Sequence, residues 1–144
     1  MDCGSIYIKM CEKAEEIQEQ WLEHDTEGDY AVVGKMIEEY NGFWTLKKGS
    51  ILIVGNDGEY DLTITNRGEI DGTGAIWLPR QDQLQEMVDD KAYAFTSVKL
   101  AVFFGNNANY LGLDDSSSME QLWLAFVMKE KYQKVWNGEE WGNS

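Results

Sequence analysis

Ala75-Ile-Trp-Leu-Pro-Arg-Gln-Asp-Gln-Leu-Gln-Glu-Met-Val88 divides the chain into a part rich in short strands and a part rich in helix. The apolar run that opens it predicts a strand, and Pro79, the only proline of the chain, ends that strand. Proline presets φ for a turn or a first helical position and biases the preceding Leu78 toward extended backbone. From Gln81 onward, apolar residues recur at helical spacing, which predicts a helix after the proline.

Upstream of this stretch the sequence predicts a sheet. Short segments rich in β-branched and aromatic residues are residues 30–33, 43–46 and 51–54. Residues 51–54 and 60–65 flank Gly55-Asn-Asp-Gly58, whose residue types tolerate positive φ, so we predict a hairpin there. In residues 60–65 apolar and polar side chains alternate, which is typical of an antiparallel sheet covered on one face.

Amphipathic helices are predicted at both ends of the chain. One apolar stripe recurs at spacings of four, four, three and four residues and predicts a helix over residues 5–22: Ile6, Met10, Ala14, Ile17 and Trp21. A second apolar face, capped by Ser117 or Ser118, begins at Met119 and continues to Val135 and Trp136. The apolar residues 92–104 fit a helix or a strand, with a loop from Gly105 to Asn109.

These patterns predict an α+β fold. A short antiparallel sheet, about residues 29–78, would be packed by the N-terminal and C-terminal amphipathic helices. No internal repeat or linker divides the sequence, so we expect a single domain over residues 1–144.

Composition predicts a folded chain outside the membrane. Hydrophobic residues make up 43% of the sequence, which is too many for a disordered chain. No apolar run approaches the roughly 18–20 residues that span a bilayer. The first residues lack the basic region and apolar stretch of a signal peptide, so we expect a cytoplasmic protein with Cys3 and Cys11 reduced.

The sequence is strongly acidic. Twelve basic against 26 acidic residues give a net charge of −14, which disfavours direct binding of nucleic acid. One group of carboxylates lies in and just after the first predicted helix: Glu12, Glu15, Glu16, Glu19, Glu23 and Asp25. The group fits either a solvated helix face or a surface presented to a basic partner protein. A homodimer is left open.

No catalytic arrangement is recognisable in the sequence. The single histidine, His24, lies in a polar loop without a nucleophile nearby, and the glycine-rich segments lack a phosphate-binding pattern. Asp57, Glu59 and Asp61 alternate and could hold a divalent cation, although a solvated strand face explains them equally well. We therefore predict a protein that is not an enzyme, with no cofactor and no metal.

The tryptophans allow an alternative. Trp44, Trp77 and Trp123 could line a pocket for a base or nucleotide, with Arg80 and Gln81 as polar anchors, although core packing is the commoner use of such residues. Trp136 and Trp141 are expected either to pack back onto Trp77, which would make the end of the chain part of the fold, or, if exposed, to anchor a partner.

Three further segments carry a resemblance to known proteins. They are residues 76–87 (Ile-Trp-Leu-Pro-Arg-Gln-Asp-Gln-Leu-Gln-Glu-Met), residues 118–132 (Ser-Met-Glu-Gln-Leu-Trp-Leu-Ala-Phe-Val-Met-Lys-Glu-Lys-Tyr) and residues 135–141 (Val-Trp-Asn-Gly-Glu-Glu-Trp). Together with residues 7–18, they resemble small uncharacterised proteins carried by prophages and mobile elements of clostridia and related Firmicutes. The resemblance implies a phage-linked origin and brings no catalytic residue with it.

The sequence therefore favours a binding protein. We expect a phage- or mobile-element-linked accessory protein whose acidic surface binds a basic host protein, in a counter-defence role or as a mimic of nucleic acid. The alternative is a protein that binds or sequesters a small molecule or nucleotide in a pocket lined by tryptophan.

Overall fold

A computed structural model describes residues 1–24, 28–34, 37–40, 44–46, 48–54, 64–65, 74–88, 93–107 and 117–143. The chain divides into two compact units. The helical unit comprises Met1–Ala14 and Pro79–Ser144, and the sheet unit comprises Glu15–Leu78. Helices and short strands occur together, which confirms the predicted α+β class. The expectation of a single domain stays a prediction.

The described helices are α1 Ser5–Glu12, α2 Glu15–His24, α3 Gln81–Val88, α4 Tyr93–Asn107 and α5 Met119–Tyr132. The described strands are β1 Tyr30–Val32, β2 Ile37–Tyr40, β3 Trp44–Leu46, β4 Ile51–Val54, β5 Ile64–Thr65, β6 Ile76–Leu78, β7 Lys134–Trp136 and β8 Trp141–Asn143. None of the described helices is both long and apolar enough to cross a membrane.

Helix α5 is the centre of the helical unit. It packs most extensively on α3 and also contacts α1, α4 and β7. Every residue from Trp123 to Met128 is buried, and each large apolar side chain fully removed from water contributes about 1.5–3 kcal/mol. At its start the Ser118 hydroxyl accepts a hydrogen bond from the Gln121 N–H at 3.1 Å, which confirms the predicted cap.

The end of α5 differs from the prediction. Gln133 adopts a left-handed conformation, with φ of 51°, and ends the helix, so Val135 and Trp136 lie in β7 and do not continue it. β7 pairs with β8 antiparallel, and the Asn137 side chain accepts hydrogen bonds from the backbone N–H groups of Glu139 and Glu140. Residues 137–140, which begin with Asn-Gly, therefore form the four-residue loop of a hairpin, and Gly138 adopts a positive φ of 98° there.

The sheet unit contains a four-stranded sheet in the order β5-β4-β1-β6. β1 pairs antiparallel with both β4 and β6, as predicted, whereas β4 pairs with β5 in parallel, with Ile53 beside Ile64. The predicted hairpin between these two strands is therefore wrong, because a tight turn can join only antiparallel strands. β2 and β3 form a separate antiparallel pair.

Two helices replace the single helix predicted over residues 5–22. α1 ends with Lys13 as its C-cap, and the Ala14 N–H bonds the Cys11 carbonyl at 3.1 Å, before α2 starts at Glu15. Neither glycine nor proline stands at the break. Glu15 and Glu16 favour a helix start there, since carboxylates in a first turn interact well with the helix dipole.

The ambiguous segment after α3 is helical. α4 covers Tyr93–Asn107 and continues through Gly105, so the loop predicted from Gly105 is wrong in its first residues. Phe103 is buried and meets Phe126 of α5 edge to face, with ring centroids 5.5 Å apart. This contact explains why the side of α4 that carries Phe103 is apolar.

Candidate functional site

The predicted acidic surface lies mainly on α2. This ten-residue helix contains four glutamates and no lysine or arginine. Glu15 and Glu19 are exposed and Glu16 is half-buried, while Ile17 and Trp21 are buried on the opposite face. We call Glu15, Glu16 and Glu19 the α2 acidic face.

The remaining members of the predicted group are Glu12, Glu23 and Asp25. Glu12 is exposed but belongs to α1, which the break at residues 13–14 separates from α2. Glu23 lies in α2, but its side chain is not among the described parts of the structure. Asp25 is outside the described residues. Because the helix predicted over residues 5–22 is two helices, Glu12 lies on α1 and Glu15, Glu16 and Glu19 lie on α2. That the six carboxylates form one partner surface stays a prediction.

The carboxylates of α2 repel one another. Glu15 and Glu19 are one helical turn apart, a spacing at which like charges destabilise a helix by about 0.2–0.5 kcal/mol. Neither side chain forms an ion pair with any part of the chain that the structure describes. Proximity to the helix start compensates Glu15, but Glu19 lies beyond the first turn, where the dipole has little effect.

Polar side chains on the inner side of α2 fix its orientation in the sheet unit. The Gln18 amide accepts a hydrogen bond from the Trp77 N–H at 2.8 Å and donates one to the Trp77 carbonyl at 3.1 Å. β6 is an edge strand of the four-stranded sheet, so Gln18 satisfies backbone groups that a further strand would otherwise satisfy. Trp21 stacks on Trp77, with ring centroids 6.2 Å apart, and donates its indole N–H to buried Asp29 at 3.1 Å.

The residues of the alternative ligand site belong to both units. Trp77 is in the sheet unit, whereas Arg80, Gln81 and Trp123 are in the helical unit. Trp77 and Trp123 are buried, and Gln81 is half-buried. The side chain of Trp44, in β3, lies outside the described residues. The common pocket therefore stays a prediction.

Arg80 has a local structural role. Its guanidinium pairs with the Asp82 carboxylate at 3.1 and 3.3 Å. Its backbone N–H donates to the Gln83 side chain at 2.9 Å, which is the reciprocal half of a capping box at the start of α3. These contacts explain the residue without a ligand.

The two buried tryptophans of this set share one unexplained property. Their indole N–H groups are buried, and within the described residues neither has a hydrogen-bond acceptor. Leaving such a donor unsatisfied costs about 1–3 kcal/mol. Trp123 packs edge to face on Phe126, with centroids 5.8 Å apart, so its ring is part of the core even though its N–H group is not satisfied.

Trp136 and Trp141 pack back into the fold. Both are buried, their ring centroids are 5.1 Å apart, and the Trp141 indole donates to the Met10 carbonyl at 2.9 Å. They are consequently core residues of the helical unit and not exposed anchors for a partner, while their packing on Trp77 stays a prediction.

The cysteines lack the character of nucleophiles. Burial raises the pKa of the Cys11 thiol, and burial also raises the pKa of the exposed Cys3. Because the thiolate is the reactive form, these raised pKa values disfavour both thiols as nucleophiles. No cluster of three or more histidine, cysteine, aspartate or glutamate residues suited to a metal occurs in the described ranges, and Asp57, Glu59 and Asp61 lie outside them. The His24 side chain lies outside them too.

One feature escaped the sequence-based prediction. Val98 and Val102 of α4 are 62% and 56% exposed, on a helix whose opposite face packs into the helical unit. The sequence of residues 92–104 contains few polar residues, and such a composition predicts a buried segment. The exposed apolar surface could therefore not be predicted from it.

No protein-family model, curated protein or solved structure matches the chain. The resemblance to prophage proteins therefore stays a prediction, and functional inference depends on the geometry of the chain itself.

Proposed function

We propose that the chain acts by binding a basic partner protein through the α2 acidic face. The observation that carries this proposal is the exposure of Glu15 and Glu19, one turn apart, on a helix that contains no lysine or arginine. A basic partner would relieve the repulsion between these carboxylates and pair with both of them.

Electrostatics favours such a partner at long range as well. A net charge of −14 attracts basic proteins and raises their association rate, an effect that salt screens over about 10 Å at 0.1 M ionic strength. Carboxylates at positions i and i+4 are separated by about 6 Å along the helix axis, so Glu15 and Glu19 present two neighbouring negative charges, as adjacent phosphates of a nucleic acid do. We extend the proposal to a basic host protein of the nucleic-acid-binding class.

The biological setting follows from the sequence resemblance and belongs to the same proposal. The chain would be a cytoplasmic accessory protein of a prophage or mobile element, and its counter-defence role would consist in occupying a basic site on the host protein. No chemical step is required of it.

The test is capture from a host-cell lysate at low salt, followed by elution in a salt gradient. We expect one dominant basic protein that is released by moderate salt. The variant Glu15→Gln/Glu19→Gln should lose most of this protein and elute the remainder at lower salt. The matched control is Glu86→Gln/Glu140→Gln, which removes two exposed carboxylates from the helical unit and gives the same net charge.

Two results would contradict the proposal. One is binding that stays constant as salt is raised. The other is equal loss of the partner in both double variants, which would make net charge responsible and not the α2 acidic face.

The alternative function is binding of a small molecule with hydrogen-bond acceptors, such as a nucleobase. It is favoured by two separate observations: the buried indole N–H group of Trp77 in the sheet unit and that of Trp123 in the helical unit each have no acceptor among the described residues. A nucleotide that binds only the folded chain at 100 times its Kd would add about 2.7 kcal/mol of stability. A thermal-shift series with nucleotides would show a rise in Tm that Trp77→Phe or Trp123→Phe reduces; a Tm unchanged by every nucleotide would exclude that ligand class.

A further inference from the structure

The loop that joins β7 to β8 begins with an asparagine followed by a glycine. Asn137 and Gly138 are both exposed. The side-chain oxygen of Asn137 accepts hydrogen bonds from the backbone N–H groups of Glu139 at 2.8 Å and of Glu140 at 2.9 Å. Because both donors follow Asn137 in the chain, the side-chain amide is folded back over the start of the loop, beside the backbone nitrogen of Gly138.

This arrangement favours attack by the Gly138 nitrogen on the side-chain carbonyl carbon of Asn137. Two N–H donors on one carbonyl oxygen withdraw electron density from its carbon and stabilise the negative charge that an attack places on the oxygen. The attacking group is available, since the Gly138 N–H has no hydrogen-bond acceptor among the described residues. The side-chain nitrogen of Asn137, which the attack would expel, has no acceptor there either.

Gly138 also offers little steric resistance to the attack. Its φ of 98° lies in the region that glycine adopts without cost, and it has no Cβ to shield its nitrogen. No atom lies within 4 Å of the place that a Cβ would occupy, so the loop is open on this side. The two hydrogen bonds already order the reacting groups, which reduces the entropic cost of bringing them together.

We propose that Asn137 is a site of spontaneous deamidation in the folded chain. The Gly138 nitrogen forms a bond to Cγ of Asn137, and the bond from Cγ to the side-chain nitrogen breaks. That nitrogen leaves as ammonia and takes the proton that the Gly138 nitrogen gives up, so the product is a cyclic succinimide. Water then adds to either carbonyl carbon of the ring and breaks the bond from that carbon to nitrogen, which yields aspartate or isoaspartate. No oxidant or reductant takes part.

The two products differ in their effect on the hairpin. Aspartate leaves the main chain intact and keeps an oxygen acceptor for the two N–H groups of the loop. Isoaspartate carries the main chain through the side-chain carbons, so it lengthens the loop between the paired residues Trp136 and Trp141. Trp141 in turn donates to the Met10 carbonyl, so a distorted hairpin weakens the helical unit. The α2 acidic face belongs to the sheet unit and plays no part in this proposal.

Peptide mapping of the full chain tests the proposal. One sample is kept folded at neutral pH and another is unfolded in urea at the same pH, and mass spectrometry follows aspartate and isoaspartate at Asn137 over time. Asn41 also precedes a glycine, Gly42, so its conversion in urea shows that the conditions support the reaction. We expect Asn137 to convert in the folded chain at least as fast as in urea, because only the fold supplies the two donors.

Two results of this experiment would overturn the proposal. One is an Asn137 that stays unconverted in the folded chain while Asn41 converts in urea. The other is slower conversion of Asn137 in the folded chain than in urea, which would mean that the loop protects the residue.

Two variants of Glu140 test the role of the N–H donors. Glu140→Pro removes one donor together with a charge, whereas Glu140→Gln removes the same charge and keeps the donor, so the ratio of their rates isolates the donor. We expect conversion in folded Glu140→Pro to be slower by at least about threefold, a smaller effect than in a buried oxyanion site because water surrounds this loop. Equal rates in the two folded variants would contradict the proposed activation. The comparison of folded and unfolded wild type needs neither variant, so it decides the proposal even if Glu140→Pro fails to fold.

Thermal melting tests the effect on the hairpin. The converted wild-type chain contains isoaspartate as well as aspartate, and Asn137→Asp contains aspartate alone. We expect the converted chain to have a lower Tm than Asn137→Asp. An equal Tm would overturn the inference that isoaspartate distorts the hairpin.

Discussion

Helices α1 and α2 are neighbours in the chain, but different chemistry anchors them. α1 is held in the helical unit by an aromatic hydroxyl and by its own backbone: Tyr7 donates to the Pro79 carbonyl at 2.5 Å, and the Met10 carbonyl accepts from Trp141. α2 is held in the sheet unit by the Gln18 amide and by Trp21. Each helix is therefore oriented by specific polar contacts as well as by apolar burial.

Their outer surfaces differ in the same way. α1 and its C-cap carry lysines as well as Glu12, and Lys9 pairs with exposed Glu139 at 2.7 Å, an ion pair that lowers the pKa of Glu139. α2 carries glutamates and no cation. The fold explains the residue types at the buried positions of both helices. It does not explain the exposed glutamates of α2. That difference is the reason for placing the partner surface on α2.

The largest expected effect comes from the inward side of α2. Trp21→Ala removes a buried ring, its stack on Trp77 and its hydrogen bond to Asp29, so we expect the sheet unit to lose about 3–5 kcal/mol of stability, measured by urea unfolding. Trp21→Phe, which keeps an aromatic ring but removes the N–H donor, should cost less. A loss below about 1 kcal/mol for the alanine variant would show that α2 is not anchored through this residue.

On α1, Tyr7→Phe should cost about 1–3 kcal/mol, because the buried Pro79 carbonyl loses its donor while the ring is kept. Burial raises the pKa of Tyr7 well above its ordinary value. The folded state thus holds this proton more tightly than the unfolded state does. The stabilisation that this protonated tyrosine provides is complete below about pH 10, the ordinary pKa of tyrosine, and it is lost as the pH rises further.

Urea unfolding between neutral and alkaline pH measures this dependence. The wild-type chain should lose stability above about pH 10 more steeply than Tyr7→Phe does. Identical alkaline profiles for wild type and Tyr7→Phe would count against a buried, protonated Tyr7.

The amide anchor of α2 should contribute somewhat less. Gln18→Leu leaves the Trp77 N–H and carbonyl at the sheet edge without their side-chain partner, and we expect a loss of about 1–2 kcal/mol in urea unfolding. Gln18→Glu can still accept from the N–H but cannot donate to the carbonyl, so its loss should be intermediate. Equal stability of Gln18→Leu and wild type would contradict the edge-satisfying role.

The smallest effect, and the one of opposite sign, is expected on the outer side of α2. Glu19→Gln removes repulsion with Glu15 and should raise stability by about 0.2–0.5 kcal/mol in the same assay. On α1, Lys9→Gln breaks an exposed ion pair and should lower stability only slightly, because solvent and salt screen such pairs. A loss of stability in Glu19→Gln would mean that this carboxylate serves the fold, and it would weaken the functional assignment of the face.

Local sequence signals predicted the elements that depend on local interactions. The Ser118 cap, the start of α5 and the strand Ile51–Val54 follow from capping residues and β-branched runs, and they were predicted correctly. Asn137 and Gly138 also favour a hairpin loop after Trp136. The sequence nevertheless predicted a longer helix, because Val135 and Trp136 continue the apolar spacing of α5.

Elements that depend on distant residues were not predictable in this way. The apolar stripe of residues 6–21 is continuous, yet the helix breaks at residues 13–14, where the two units divide the chain. β4 pairs with β5 in parallel. The residue types in the segment between two strands do not determine which strands pair or in which direction. For the candidate site, the sequence shows which residues are acidic. Only the three-dimensional structure shows that Glu12 and Glu15 belong to different helices.

The tryptophan pairs give each unit its own optical signal. Trp21 and Trp77 stack within the sheet unit, with their ring planes 8° apart, whereas Trp136 and Trp141 lie 54° apart within the helical unit. A tryptophan held in fixed tertiary packing gives near-ultraviolet circular dichroism. The part of that signal lost in Trp77→Phe therefore reports on the sheet unit, and the part lost in Trp136→Phe reports on the helical unit. Loss of both parts at one temperature would mean that the units melt as one cooperative domain, and loss at two temperatures would mean that each melts separately.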